Sequence, residues 1–260
     1  MCNHNLKMPI YEIHITIILK SHEICHLENF IALNKSLCNE LKLIRPHLCH
    51  AQSLYGEVPD QPMFTCCVND SEEETIKKLH IISDKLISYL EEQNLVNLRV
   101  RNKIELKQRS YMIDLQNKKL LYNDHPYFEF HWKVGHSSKK FGYMEFIRDY
   151  DNKKMSTDYY KKYLTDEYFE LEVICLKYGV HLSMNSDKDI NSQYPIATLR
   201  VHNCSVSHAL EQLEIVQNHL TSFNYIIVGT TQFEQAIFDD NIDFDKGWIF
   251  ETIPEDIIVK

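Results

Sequence analysis

Residues 128–134, Phe128-Glu129-Phe130-His131-Trp132-Lys133-Val134, repeat the pattern of residues 11–17, Tyr11-Glu12-Ile13-His14-Ile15-Thr16-Ile17. In both, apolar or aromatic side chains take alternate positions, and Glu, His and then Lys or Thr take the positions between. A period of two belongs to a strand with one buried face. The apolar set must then meet helices, while Glu and His stand two apart on the opposite face. A strand that needed only a wet face would be served by Thr, Ser or Lys. Twice placing Glu-x-His there implies a polar surface with a purpose.

The chain around each stretch has the same order of elements. In the first half a strand at 11–19 precedes a helix at about 27–41, with Phe30, Leu33, Leu37 and Leu41 at helical spacing. An extended segment at 43–54 and a strand at 62–69 follow. Asp70-Ser71, with Glu72, Glu73 and Glu74 in the first turn, starts a helix that carries Ile76, Leu79, Ile82, Leu86 and Leu90. A strand at 96–106 completes β-α-β-β-α-β, the ferredoxin-like unit. The second half offers a strand at 127–134, a helix at 166–178, strands at 180–185 and 195–202, a helix at 205–222 and a strand at 225–235. Three local matches link the halves. Glu12-Ile13-His14 aligns with Glu129-Phe130-His131, residues 61–65 align with 194–198, and Lys103-Ile104-Glu105 aligns with Gln232-Phe233-Glu234.

The expected fold is therefore α+β, two tandem ferredoxin-like lobes from an internal duplication, packed with their polar sheet faces inward across a shared cleft. Lobe 1 covers 1–106, a connector with a hairpin covers 107–126, and lobe 2 covers 127–236. Residues 135–165 read as an insertion longer than a strand-to-helix connection needs. Residues 237–260 read as a packed tail that docks Trp248.

Composition narrows the function. A formal net charge of −9 argues against broad nucleic-acid or membrane-surface binding. No apolar run reaches the 18 residues that would mark a membrane span, and residues 1–10 show no secretory h-region. Eight scattered cysteines without C-x-x-C read as reduced thiols in a cytoplasmic protein. The six glycines form neither a Walker nor a Rossmann phosphate loop.

With the strand order 4-1-3-2, the polar face of lobe 2 gathers Glu129, His131 and Lys133 from its first strand. Thr198, Arg200 and His202 come from its third strand, Glu234 from its fourth, and from its second either His181 with Ser183 or, in the other register, the neighbours of Asn185. Imidazole beside carboxylate suits a divalent metal, with Glu129, His131 and Glu234 as ligands. Lys133 and Arg200 suit phosphoryl oxygens, and His131, His181 or His202 suit proton transfer. Glu12, His14, Thr16 and Glu105 form a thinner copy in lobe 1. The same alternation also arises from cross-strand ion pairs, Glu129 with Arg200 for example.

His14-Ile15-Thr16 resembles the H-x-T/S motif of the 2H phosphoesterases, which also have two related lobes. The matching position in the second half reads His131-Trp132-Lys133, and His181-Leu182-Ser183 fits the motif on a different strand. Glu129-Phe130-His131-Trp132-Lys133 is similar to the E-x-E-x-K strand of CYTH triphosphate hydrolases, with His at the middle carboxylate. Each resemblance spans about five residues and implies phosphoester chemistry. The expectation is a metal-assisted hydrolase or transferase acting on a phosphorylated small molecule or nucleotide. The alternative is a non-catalytic ligand- or protein-binding module.

Overall fold

The computed structural model describes residues 8–53, 58, 60–116, 126–137, 166–185 and 194–245. Eight strands run through them: β1 (Ile10–Ile17), β2 (Ile44–Ser53), β3 (Asp60–Asn69), β4 (Val100–Leu106), β5 (Tyr127–His136), β6 (His181–Asn185), β7 (Ile196–His202) and β8 (Tyr225–Asp239). The described helices are α1 (Cys25–Leu33), α2 (Lys35–Glu40), α3 (Glu72–Glu92), α4 (Asp166–Lys177) and α5 (Val206–Ser222). None of the described helices is long and apolar enough to cross a membrane.

Each half of the chain builds a four-stranded antiparallel sheet, ordered β4-β1-β3-β2 in the first and β8-β5-β7-β6 in the second. The polar faces do turn inward, but within one closed barrel rather than across a cleft between two lobes. β2 pairs with β6 through Ala51↔Asn185, Gln52↔Met184 and Ser53↔Ser183. On the other side β4 pairs with β8, from Lys103↔Asp239 to Leu106↔Gln235. All eight strands thus close into one barrel. Closure satisfies backbone donors and acceptors that four edge strands would otherwise leave unpaired.

The two-residue alternation decides what the barrel encloses. Ile13, Ile15, Ile17, Phe64, Cys66 and Val68 point outward to a core shared with Phe30, Leu79, Ile82, Leu86 and Leu90. Phe128, Phe130, Trp132 and Val134 do the same against Leu171, Cys175, Val216 and Leu220. The helices therefore lie outside the barrel and the polar positions line its lumen. Capping sets where two of these helices begin. Ser71 accepts a hydrogen bond from the Glu74 backbone at 3.3 Å, and Ser205 accepts one from His208 at 3.1 Å.

Three boundaries differ from expectation. The helix expected over 27–41 breaks at Asn34, whose side-chain amide donates to the Phe30 carbonyl at 2.9 Å and competes with the helical ladder. The last strand of the first half starts at Val100 rather than 96. β8 runs on to Asp239, because β4 offers residues 235–239 a partner, so the expected tail begins inside the sheet. Most of the 135–165 insertion, part of the 107–126 connector and Trp248 fall outside the described residues.

Phe130 is fully buried and stacks on Phe233 with centroids 4.5 Å apart and planes 13° apart. Phe130→Ala should cost about 3–5 kcal/mol in urea unfolding with little change in m value. A loss under about 1 kcal/mol would mean the outer core tolerates the cavity.

Candidate functional site

Inside the barrel, groups of opposite sign alternate in a closed ring. Glu12 pairs with Lys107, which also contacts Glu234 at 2.5 Å. Glu234 lies 3.7 Å from His131, and His131 lies 2.8 Å from Glu129. Lys103 contacts Glu129 at 3.0 Å and pairs with Glu105. Glu105 lies 3.0 Å from His14, and His14 lies 3.9 Å from Glu12, which completes the circuit. Burial of this many charges is tolerable only because each has a partner of opposite sign on either side.

The ring draws on both halves at equivalent positions. His14 Nδ1 is 3.1 Å from Thr65 Oγ1, and His131 Nδ1 is 2.9 Å from Thr198 Oγ1. In the ladders His14 stands opposite Thr65 and Lys103, while His131 stands opposite Thr198 and Gln232. Glu12 stands opposite Cys67 and Glu105, while Glu129 stands opposite Arg200 and Glu234. Two positions therefore break the correspondence: Lys103 against Gln232, and Cys67 against Arg200.

Those two differences polarise the site. Glu129 loses solvation by burial, yet Arg200, Lys103 and His131 together hold it well below the usual carboxylate range. Glu105 is likewise buried but held low by Lys103 and His14. Glu234 has Gln232 rather than lysine beside it in sequence register; burial and the nearby Glu105 charge push it up to about 7, against the pull of His131 and Lys107. Burial opposes protonation of His14 and His131, but Glu105 beside His14 and Glu129 beside His131 raise both. Two carboxylates flanking one imidazole thus differ widely in proton affinity.

The two ends of the lumen differ as well. Lys107 and His131 side chains are each 26% exposed, so water reaches the ring from that end. At the other end Arg101 binds Asp239 at 2.5 Å and Asp245 at 2.7 Å. Arg200 pairs with Glu129 and reaches Asp245 at 2.5 Å, with its guanidinium 4.7 Å from the Tyr127 ring centroid. Tyr127 donates to Asp239 at 3.0 Å, and burial raises its phenol far above the ordinary range.

Among the expected site residues, Glu129, His131, Glu234, Glu12, His14 and Glu105 come together in the ring. Arg200 joins it through Glu129. His181 is buried, opposite Thr198, and burial drives its imidazole down to about 3. It is neutral at physiological pH and unsuited to the role of proton-carrying acid. His202 stands at the exposed end of β7 against Tyr127, with ring centroids 5.3 Å apart. Lys133 is half-buried beyond the bulge that separates it from His131, and Thr16 is buried opposite Met63 and Arg101. The ring closes without either. Lys103, Lys107, Arg101, Tyr127, Asp239 and Asp245 escaped the sequence reading. Lys103-x-Glu105-x-Lys107 does carry the period-two signal, but its partners on β5 and β8 lie far along the chain.

No protein-family model matches the chain, and no curated protein does. Solved structures share its course at low similarity. An aldoxime dehydratase in complex with butyraldoxime has 9% identity and a TM-score of 0.40, covering 91% of this chain and 81% of its own. A mutant chlorite dismutase from Candidatus Nitrospira defluvii has 9% identity and a TM-score of 0.27, covering 88% and 92%. A heme-binding protein from Thermus thermophilus has 7% identity and a TM-score of 0.24, covering 88% and 91%. At these scores their activities are not carried to this chain.

The expectation of phosphoester chemistry is corrected by the lumen itself. Arg200, expected to hold phosphate, is already bound to Glu129 and Asp245. The divalent-metal expectation is corrected too, because its carboxylates are already taken up by ammonium groups. Donor atoms of Glu12, His14 and Glu105, and of Glu105, His131 and Glu234, do lie within 4.8 Å of one another. Yet the Lys103 and Lys107 ammoniums already neutralise those carboxylates.

Heme fits the described residues no better. It requires an apolar slot and an axial ligand. His14 and His131 use both ring nitrogens within a charged lumen. On the helix side Phe130, Trp132, Leu171, Cys175 and Leu220 already pack against one another at 1% exposure or less. The Trp132 indole N–H, buried there without an acceptor among the described residues, offers iron no ligand.

The pKa directions set a stability profile. Glu105 and Glu129 are lowered, so their contribution is present above the ordinary 4.5 and lost as pH falls below it. His14 and His131 are raised, so theirs is complete below 6.5 and lost as pH rises through their folded values. Glu234, raised to about 7, removes further stability as it ionises between 4.5 and 7. Urea midpoints should peak between about pH 4.5 and 6.5, and the His14→Gln/His131→Gln variant should lose stability at pH 5.5 but little at pH 9. Equal losses at both values would show the imidazoles uncharged. Lys103→Met, which leaves Glu105 and Glu129 facing each other, should cost about 3–5 kcal/mol at pH 7; a neutral result in the same assay would remove Lys103 from the ring.

Proposed function

We propose that the lumen is an acid–base site acting on a small ligand whose reacting group is uncharged, with Glu234 and His131 as the proton-handling pair. The observation that supports this is the divergence of the carboxylates around His131. Glu129 is held well below the usual carboxylate range by Arg200, Lys103 and His131, whereas burial and the nearby Glu105 push Glu234 up to about 7. An acid poised near the working pH combines availability with driving force, which a purely structural ion pair does not need.

The roles follow from position. Thr198 and Glu129 fix both nitrogens of His131, so its ring cannot turn. Glu234 donates its proton to an oxygen or nitrogen of the ligand. The carboxylate left behind lies beside the imidazole at 3.7 Å and the Lys107 ammonium at 2.5 Å, and it recovers the proton in the return step. A net ionic reacting group would have to break ring pairs to bind, which favours an uncharged one.

Within this reading the Glu12–His14–Glu105 set is the duplicated counterpart, kept as a fixed ion-paired wall by Lys103. Equivalent ladder positions in the two halves support an origin by tandem duplication. That would make residues 1–106 and 127–236 two repeats of a single barrel. Cys25, Cys38, Cys66, Cys67, Cys175 and Cys204 are free thiols, in keeping with a reducing, cytoplasmic setting.

Carbon-13 NMR titration of the Glu234 carboxyl tests the reading first. It should move near pH 7 in the parent; a transition in the ordinary carboxylate range would end the proposal. Oxygen-18 exchange from solvent water into a panel of neutral aldehydes then reads proton transfer to the carbonyl oxygen. Glu234→Gln and His131→Gln should each lower exchange by about 10²–10⁴-fold, and parental rates in both would remove the pair from the chemistry.

A further inference from the structure

The closed end of the lumen has a construction of its own. A 3-10 turn at Ile242–Asp245 follows β8 and brings Phe244 and Asp245 inside. Phe244 is fully buried, with the Arg99 guanidinium 5.4 Å from its ring centroid. One Asp245 oxygen receives Arg101 at 2.7 Å and Arg200 at 2.5 Å, and the other receives the Gln61 amide at 3.2 Å. The same Gln61 nitrogen donates to the Phe244 carbonyl at 3.1 Å. Gln61 and the two arginine side chains are all at least nine-tenths buried.

Three donors on three different strands thus converge on one carboxylate supplied from outside the sheet. Two guanidiniums and an amide are the groups used to grip a carboxylate, and the planar forks are rigid before it arrives. Nothing in this geometry requires that the carboxylate belong to the chain. Arg101 keeps Asp239 and Arg200 keeps Glu129, so each retains one acid when Asp245 leaves. The equivalent position to Arg200 in the first half is Cys67, so the open end has no such cradle.

We infer that Arg101, Arg200 and Gln61 form a carboxylate-binding site at the closed end of the lumen, and that Asp245 is its resident, exchangeable occupant. Exchange replaces one carboxylate by another, so the charge balance of the ring is preserved. Departure of Asp245 withdraws the Ile242–Asp245 turn and opens this end of the barrel. The inference does not depend on the acid–base reading, because its readout is binding and stability rather than turnover.

Chemical rescue tests it. In the full-length chain, Asp245→Ala should lower Tm by about 5–10 °C in chloride buffer. Formate or acetate, titrated at constant ionic strength, should restore at least half of that loss and saturate. The same titration should fail in Asp245→Ala/Arg200→Gln, and in the parent it should speed hydrogen exchange of the Ile242–Asp245 amides, unchanged exchange there overturning the displacement. Equal Tm in chloride and carboxylate, or rescue that persists without Arg200, would overturn the site. If Asp245→Ala does not fold in chloride, refolding yield replaces Tm. A yield raised by formate or acetate supports the site, and one no better than in chloride overturns it.

Discussion

The structure depends on pairing buried charges that no half of the chain can neutralise alone. Lys103 of β4 lies between Glu105 on its own strand and Glu129 on β5. Lys107, just past β4, bridges Glu12 of β1 and Glu234 of β8. Separating the two sheets would leave each with desolvated or unpaired ions along its polar face. Closing them converts those ions into a circuit of alternating sign. Backbone pairing of β2 with β6 and β4 with β8 seals the barrel, and the lysines make its interior electrically acceptable.

That circuit is nearly two-fold in plan and asymmetric in charge. Within the lumen set, the fixed cations Arg101, Lys103, Lys107 and Arg200 are two fewer than the carboxylates Glu12, Glu105, Glu129, Glu234, Asp239 and Asp245. Protons on His14, His131 and Glu234, all three raised by their surroundings, make up the difference. The substitutions between halves then concentrate positive charge around Glu129 and thin it around Glu234. One end becomes an arginine–carboxylate cluster. The other keeps a carboxyl close to its titration point with water at hand.

How much of this was legible in the residues depends on range. Outward and inward faces were readable throughout, because alternation in β1, β5 and β7 needs only neighbours two apart. Glu129, His131, His14 and Glu234 were placed on the polar face for that reason. Lys103 and Lys107 carried the same alternation and were still overlooked, since their meaning comes from strands on the far side of the chain. His181 shows the opposite failure. Its face was readable, but not the burial that holds it neutral. The break at Asn34 turned on one local side-chain bond that a helical apolar spacing does not register. Asp245 was taken for tail, because a lone acid after a strand carries no periodic signal.

By itself the sequence determined two βαββαβ orders, which residues face helices, and that Glu-x-His recurs at one strand of each half. These are consequences of pattern, and pattern acts locally through backbone geometry. Tertiary structure alone decided that two polar faces become one lumen, that lysines sit among the carboxylates, and that Glu234 differs from Glu129. Those outcomes rest on Coulomb interactions and desolvation, which depend on distance in space and are blind to distance along the chain.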